Sequence, residues 1–336
     1  MLIIENYSTA VIFCIITMLC WGSWANTQKL AASTWRFELF YWDYVLGILL
    51  FSLLLAFTLG SIGSGGRGFM TDISQADGNN IGLALVGGII FNAANILLGA
   101  AIAIAGMAVA FPVGIGLALV IGVVVNYIAH PLGNKDLLAG GVALIVIAIL
   151  LNALAYSRMQ SRLQGAAWRS SFKGLALAAI AGVLMGFFYK YVAAGMFTDF
   201  NVPQPGKLSP YTAVVVFSIG ILLSNLVFNT LLMKKPFVGE PVSFTAYFKG
   251  GWMNHITGML GGAVWCLGMS FNIIASGKAG PAISYGLGQG ATIIAALWGM
   301  FIWKEFRGAP KGTSALLALM LLFYIVGLGL LVYAGL

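Results

Sequence analysis

Charge is what this 336-residue sequence has least of. Asp, Glu, Lys and Arg together make up 8% of it, against about 25% in a soluble domain. That is too little to cover a water-soluble protein of this length, so a soluble enzyme, a nucleic-acid-binding module and a disordered chain are all excluded. Cysteine is scarce too. Cys14, Cys20 and Cys266 lie in apolar runs and make neither a CxxC pair nor a disulfide framework, so they read as small packing residues. The two histidines, His130 and His255, stand at the ends of apolar runs with no second ligand at metal spacing. No metal and no cofactor is expected. No Ser/His/Asp set can be assembled in one layer of the chain, so enzyme chemistry finds no support. Met1 to Ser8 lacks the Lys or Arg of a signal-peptide n-region, and the first apolar run is expected to stay as a helix. The loops are too short to hold the soluble output domain of a sensor.

What the chain has is hydrophobicity: 60% of its residues are hydrophobic and the mean hydropathy is +0.98. About 20 apolar residues cross a bilayer as a helix, and continuous apolar runs do not show the alternation of a membrane barrel. Ten spans are expected, near 9–28, 42–62, 80–104, 107–129, 136–156, 172–196, 210–233, 252–276, 280–303 and 313–335. The third and fourth, and the eighth and ninth, are joined by very tight turns. The fold class is therefore an all-α integral membrane protein of ten transmembrane helices.

A shift of 174 residues superposes Gly87-Gly88 on Gly261-Gly262 and Ala105-Gly106 on Ala279-Gly280. It also brings Gly114 and Gly116 onto Gly288 and Gly290. The matches fall on corresponding hairpins of two halves, 1–156 and 172–336, separated by a basic linker at 157–171. Five spans per half is an odd number, so the second copy enters from the opposite face, the inverted-repeat plan of secondary transporters. Twelve of the 17 basic residues fall in loops after odd-numbered spans, from Lys29 and Arg36 to Lys304, Arg307 and Lys311, and four fall on the other face. The positive-inside rule then puts both termini outside the cytoplasm. This fits a bacterial inner membrane, and it assigns the net charge of +8 to anionic lipid rather than nucleic acid.

The Gly286-Leu-Gly288-Gln-Gly290 stretch has no strand before it and no Lys-Ser/Thr after it, so it is not a nucleotide loop. Small residues that let spans four and nine approach closely explain it better. Polar residues inside spans say more, because lipid offers them no partner. Asn92 and Asn95 share one face of span three. Trp21 and Trp24 lie near Asn26 and Gln28 in span one. Lys190 falls in span six, Trp265 and Asn272 in span eight, Tyr285 and Gln289 in span nine. Neutral amides offer donors and acceptors, and tryptophan a flat apolar face, a mixture suited to a sugar, a nucleobase or a ureide. The same amides can simply bond helices together. Trp35, Trp42, Trp168, Trp252 and Trp303 read as interfacial belt residues. Carboxylates sit in loops or at span ends; only Asp43 enters a span. An exporter of cationic drugs would need a buried acid, which weakens that reading. Lys190 is the one firmly intramembrane charge, either snorkelling to the interface or facing the cavity.

Leu19-Cys-Trp21-Gly22-Ser-Trp24, Tyr41-Trp-Asp43-Tyr44, Asn95 and Val125-Asn126-Tyr127 resemble the plant ureide permeases. So do Ser243-Phe-x-Ala-Tyr247, Leu297-Trp298-Gly299 and Lys304-Glu305-Phe306. The resemblance covers nearly the whole chain and extends to bacterial glucose/ribose uptake and rhamnose permeases. It implies the drug/metabolite transporter superfamily, with ten helices in two inverted five-helix repeats. Plant sequences of this kind carry an acid early in span four and another early in span nine. Here those stretches read Val109-Ala110-Phe111-Pro112 and Ile283-Ser284-Tyr285-Gly286, which favours a sugar-like solute.

The expectation is a secondary transporter that moves a small neutral polar metabolite by alternating access, as monomer or homodimer, with a coupling proton or cation as a further partner. Trp21, Asn92, Asn95, Trp265 and Gln289 would line the central site, with Lys190 and Tyr285 beside it. Asp43 would be a gate or proton-linked group and Pro112 would shape the start of span four. A metabolite exporter, a channel and a membrane-embedded enzyme remain as alternatives.

Overall fold

The computed structural model describes residues 1–32, 34–63, 65–105, 107–164 and 172–336. Ten helices among these are long and apolar enough to cross a membrane. In chain order the helices are α1 Tyr7–Ser23, α2 Phe37–Phe57, α3 Phe69–Gln75, α4 Gly78–Ala105, α5 Met107–Ala129, α6 Lys135–Gln164 and α7 Phe172–Gly195. They continue with α8 Pro210–Lys234, α9 Phe244–Phe248, α10 Trp252–Ala279, α11 Pro281–Gly288, α12 Ala291–Leu297 and α13 Thr313–Tyr333. Their ends follow local chemistry. Asn6 caps α1 by accepting from the Thr9 amide, and Ser209 caps α8 ahead of Pro210 at the first helical position. Gly280, at φ +79°, makes the one-residue turn between α10 and Pro281 of α11, a left-handed backbone that only glycine takes at no steric cost.

Several expected boundaries shift. α1 continues as a 3-10 helix over Trp24–Leu30. α2 starts at Phe37 rather than 42, so Asp43 lies in its second turn. α6 runs on to Gln164, because Arg158, Met159 and Gln160 are good helix formers and need no lipid to stay helical. The remainder of the expected linker, with Trp168 and Arg169, and the turn residue Gly106 lie outside the described residues. Span nine is broken. α11 ends at Gly288, α12 starts at Ala291, and a π-helical turn over Trp298–Ile302 follows. Two short helices, α3 and α9, occupy the loops before α4 and α10.

The halves share one core. α4 packs on α7 and α8, and α10 packs on α1 and α2. A Cβ added to Gly88 would overlap the Phe217 carbonyl and lie 2.9 Å from the Ile221 nitrogen. One added to Gly262 would overlap the Tyr44 carbonyl and lie 2.8 Å from the Ile48 nitrogen. These are backbone-to-backbone crossings, and they are reciprocal between the two halves. α6 and α13 meet the same way, with Gly141 and Gly327 each under 3 Å from the other's carbonyl by the same measure. Spans four and nine do not meet at Gly114 and Gly116. Gly114 faces Leu98 and Ala178, and Gly116 has open space beside it. Instead Gly122 lies under the Tyr285 ring and Gly286 against Val123.

Replacing Gly262 by valine should cost about 3 kcal/mol or more, since backbone on the partner helix cannot step aside cheaply. Gly116→Ala, which meets nothing, should leave thermal melting of the purified protein unchanged or slightly raised.

Candidate solute-binding cavity

A cavity of about 630 Å³ enters between the halves from the face that bears Lys29, Arg36 and Glu305, within the size range of small-molecule sites. Its inner end is aromatic. Trp21 and Trp265 stack at 5.9 Å with 12° between planes, and the Trp21 indole N–H donates to the Trp265 carbonyl at 3.2 Å. Behind them Phe91 packs at 4.4 Å on Trp265, 5.3 Å on Phe188 and 5.6 Å on Phe217. Trp21, Trp265, Phe91 and Phe188 are the aromatic part of the cavity lining. Beyond them Tyr189 bonds Ser284 and the Asn272 carbonyl, and Asn272 donates to the Ser284 carbonyl at 2.7 Å.

Asn95 lines the cavity, and a buried chain of hydrogen bonds aims it. Its Nδ2 donates to Tyr41 Oη at 3.1 Å, Tyr41 donates to Asn92 Oδ1 at 2.9 Å, and Asn92 Nδ2 donates to Ser224 Oγ at 2.9 Å. Asn92 is fully buried and lies off the cavity; it holds Tyr41, which holds Asn95. On the opposite wall Gln289 sits where span nine is interrupted, with Thr292 beside it bonded to Tyr324. At the mouth Glu305 pairs with Lys29 at 3.1 Å and accepts from Tyr156 at 2.8 Å. Lys29 also lies 4.4 Å over the Trp303 ring, whose indole donates to Asn26.

Of the residues named from the sequence, Trp21, Asn95, Trp265 and Gln289 come together on this cavity. Tyr285 is fully buried behind the aromatic floor, its hydroxyl donating to the Ala118 and Met185 carbonyls at 3.2 and 3.0 Å. Lys190 is exposed on the outside of α7, off the cavity. Pro112 lies in the first turns of α5, short of the lining, which that helix joins at Ile115. Of the expected belt tryptophans among the described residues, Trp35 and Trp42 are buried and Trp303 lines the mouth, while Trp252 is exposed. Glu305 and Tyr156 stand at the expected ends of spans nine and five, where polarity carries no signal, although α6 continues two turns past Tyr156. The Lys304-Glu305-Phe306 motif was the available pointer.

The sequence comparisons bear on what such a cavity serves. A ureide permease family model matches residues 40–165 and 160–334. The chain belongs to the ureide permease family. Among curated relatives, ureide permease 1 of Arabidopsis thaliana is 24% identical over 98% of both chains. Ureide permease 5 of the same plant is 22% identical, over 98% of this chain and 95% of its own. One solved crystal structure covers 97% of this chain and 96% of its own with a TM-score of 0.58 at 14% identity, a likeness of fold. The molecule is a multi-pass membrane permease.

Two further polar nodes of this permease lie off the cavity. Asp43, 2% exposed, receives the Tyr247 hydroxyl at 2.6 Å and pairs with His255 Nδ1 at 3.0 Å. His255, which stands in the sequence at the end of an apolar run with no second ligand, thus meets Asp43. Burial first, and then the Asp43 carboxylate, raise the Tyr247 phenol above its ordinary range, so it stays protonated and donates. On the far face Asp72, fully buried, pairs with Arg67 at 2.9 Å and accepts from the Ser209 amide at 2.6 Å. Arg67 also donates to the Gln204 and Lys207 carbonyls at 2.8 Å. These contacts bind the loop before α4 to the loop before α8.

Asn95→Ala should abolish solute uptake into proteoliposomes at normal expression. Tyr41→Phe leaves the buried Asn92 acceptor unpaired and should cost about 1–3 kcal/mol of stability, read as a lowered Tm together with weaker uptake.

Proposed function

We propose that this permease carries a small, neutral, flat polar solute of the ureide or nucleobase type by alternating access. The two halves, 1–156 and 172–336, act as inverted repeats joined by the 157–171 linker, as in the drug/metabolite transporter superfamily. The cavity carries this reading. It is open on one face, ends on paired indoles near the middle of the molecule, and is lined there by neutral amides rather than charge. A stacking platform with donors and acceptors at its edge suits a flat polar ring. One open and one closed face is what one end state of a carrier requires. The permease relatives are named for ureides, which agrees with this chemistry.

Twelve of the 17 basic residues fall in loops after odd-numbered spans, and the mouth lies beside Lys29 and Arg36 of that set, which supports a cytoplasmic open face, with both termini outside, in a plasma membrane of the bacterial inner-membrane kind. Lys190 then snorkels from α7 toward the outer interface. Asp43 is the proton-linked group. Its pair with His255 and its bond from Tyr247 join α2 of the first half to α9 and α10 of the second. Rocking of the halves would strain or break this node, so its protonation can be tied to the transition. A sugar is the second reading, favoured by the uncharged Val109–Pro112 and Ile283–Gly286 stretches.

Uptake of labelled allantoin, uracil, glucose, ribose and rhamnose into proteoliposomes tests this directly. Allantoin or uracil should enter, and unlabelled solute on the far side should accelerate entry, which a channel would not show. Expulsion of an aromatic cation with no uptake of these solutes would instead make the protein an exporter. Asp43→Asn should leave solute exchange intact while removing the response of net uptake to an imposed pH gradient. An unchanged response would remove Asp43 from coupling.

A further inference from the structure

The short helix α9 is held from one side only. None of its five residues is buried, and its one polar tie to another helix among the described residues is the Tyr247 hydroxyl on Asp43. Tyr247 also meets the His255 ring edge-on at 4.8 Å, and Phe244 lies 5.7 Å from the Trp42 ring. Phe248, by contrast, is 78% exposed, and Lys249 after it is exposed as well. This surface continues a lipid-facing one. Trp252, Ile256 and Leu260 are exposed along one face of α10, at the spacing of a single helical stripe, and in a spanning helix that stripe meets acyl chains. α8 ends at Lys234 and α10 begins at Trp252, so α9 lies at the level where two spans leave the bilayer.

The charge around α9 has one sign. Between α8 and α10 stand Lys234, Lys235 and Lys249, all exposed, against the single acid Glu240. Lys173, at the start of α7, adds a cation 5.6 Å over the Phe237 ring of the same loop. Among the described residues none of these four lysines has an ion-pair partner. Exposed aromatic side chains at the acyl boundary, with lysines beside them at headgroup level, mark an element seated in a membrane surface, and anionic headgroups strengthen the seat. A zwitterionic lipid would cover the rings but leave the lysines unanswered. A protein partner would first have to displace lipid from those rings.

We infer that α9 with Lys234, Lys235 and Lys249 forms a binding site for an anionic phospholipid, and that lipid bound there holds α9 with Tyr247 on Asp43. None of these residues lines the solute cavity. The site stands independently of the solute carried and of any coupling through Asp43. Because the lipid and the Tyr247–Asp43 bond both favour the seated position of α9, each strengthens the other by the same factor.

Phosphatidylglycerol titrated into the detergent-purified full chain tests this by thermal melting and amide hydrogen exchange. It should raise the wild-type Tm and slow exchange of the 244–249 amides, while phosphatidylcholine and inorganic phosphate should do neither. The triple variant Lys234→Gln/Lys235→Gln/Lys249→Gln should melt like wild type without lipid, since all three side chains are exposed. Its apparent Kd for phosphatidylglycerol should rise about tenfold or more. Phe248→Ser, which keeps the lysines, should also raise the Kd. So should Tyr247→Phe, which breaks only the bond to Asp43. A wild-type Kd in the triple variant overturns the site, and so does an equal response to phosphatidylcholine or to inorganic phosphate. Should the triple variant melt below wild type without lipid, Phe248→Ser decides, and a wild-type Kd there overturns the site. An unchanged Kd in Tyr247→Phe overturns the link to Asp43.

Discussion

At Gly88 and Gly262 two pairs of helices meet backbone to backbone, and the placement of the other functional parts follows from those meetings. Lipid supplies no hydrophobic force to press helices together, so close approach must come from dispersion between small residues. α4 is pinned to α8 at one crossing and α10 to α2 at the other. Each half thereby holds the third helix of the other. Asn95 on α4 and Trp265 on α10 are brought to one central volume, and the gap left between the pinned pairs is the cavity.

Polarity is sorted around that gap. Neutral amides and indoles line its depth, while charges stand at the mouth, at the Asp43–His255 node and at the Arg67–Asp72 node. A charge in a low-dielectric interior needs a partner and further hydrogen bonds. Asp43 takes both from groups distant in sequence, while Asp72 has its partner five residues away in Arg67 and its further bond from distant Ser209. The nodes lie on opposite faces, and each ties loops or helices of the first half to those of the second. The Asp72 node ties the loops on one face together, and the mouth beside Glu305 opens the cavity on the other.

The ten spans were legible because hydropathy alone decides which stretches leave water, and the family resemblance was legible in short motifs. The polar site was legible in part. Trp21, Asn95, Trp265 and Gln289 meet as expected, since polar residues near the middle of spans have nowhere else to go. Lys190 and Tyr285 share that sequence signal but point to the outside of α7 and into the seal, because helix rotation is set by neighbours and not by composition. Trp35 and Trp303 look like belt anchors one at a time; His255 and Lys29 turn them into parts of the nodes.

The sequence by itself determined that the chain is a membrane protein of ten spans, where those spans lie, and that charge is kept from their middles. These follow from the free energy of moving each side chain out of water, which is additive along the chain. Tertiary structure alone decided the break in span nine at Gln289-Gly290, the pairing of Asp43 with His255 across 212 residues, and the hydrogen-bond chain from Asn95 through Tyr41 and Asn92 to Ser224. Each depends on which groups stand opposite once the helices have crossed, and that is settled by packing between helices rather than by the affinity of any one stretch for lipid.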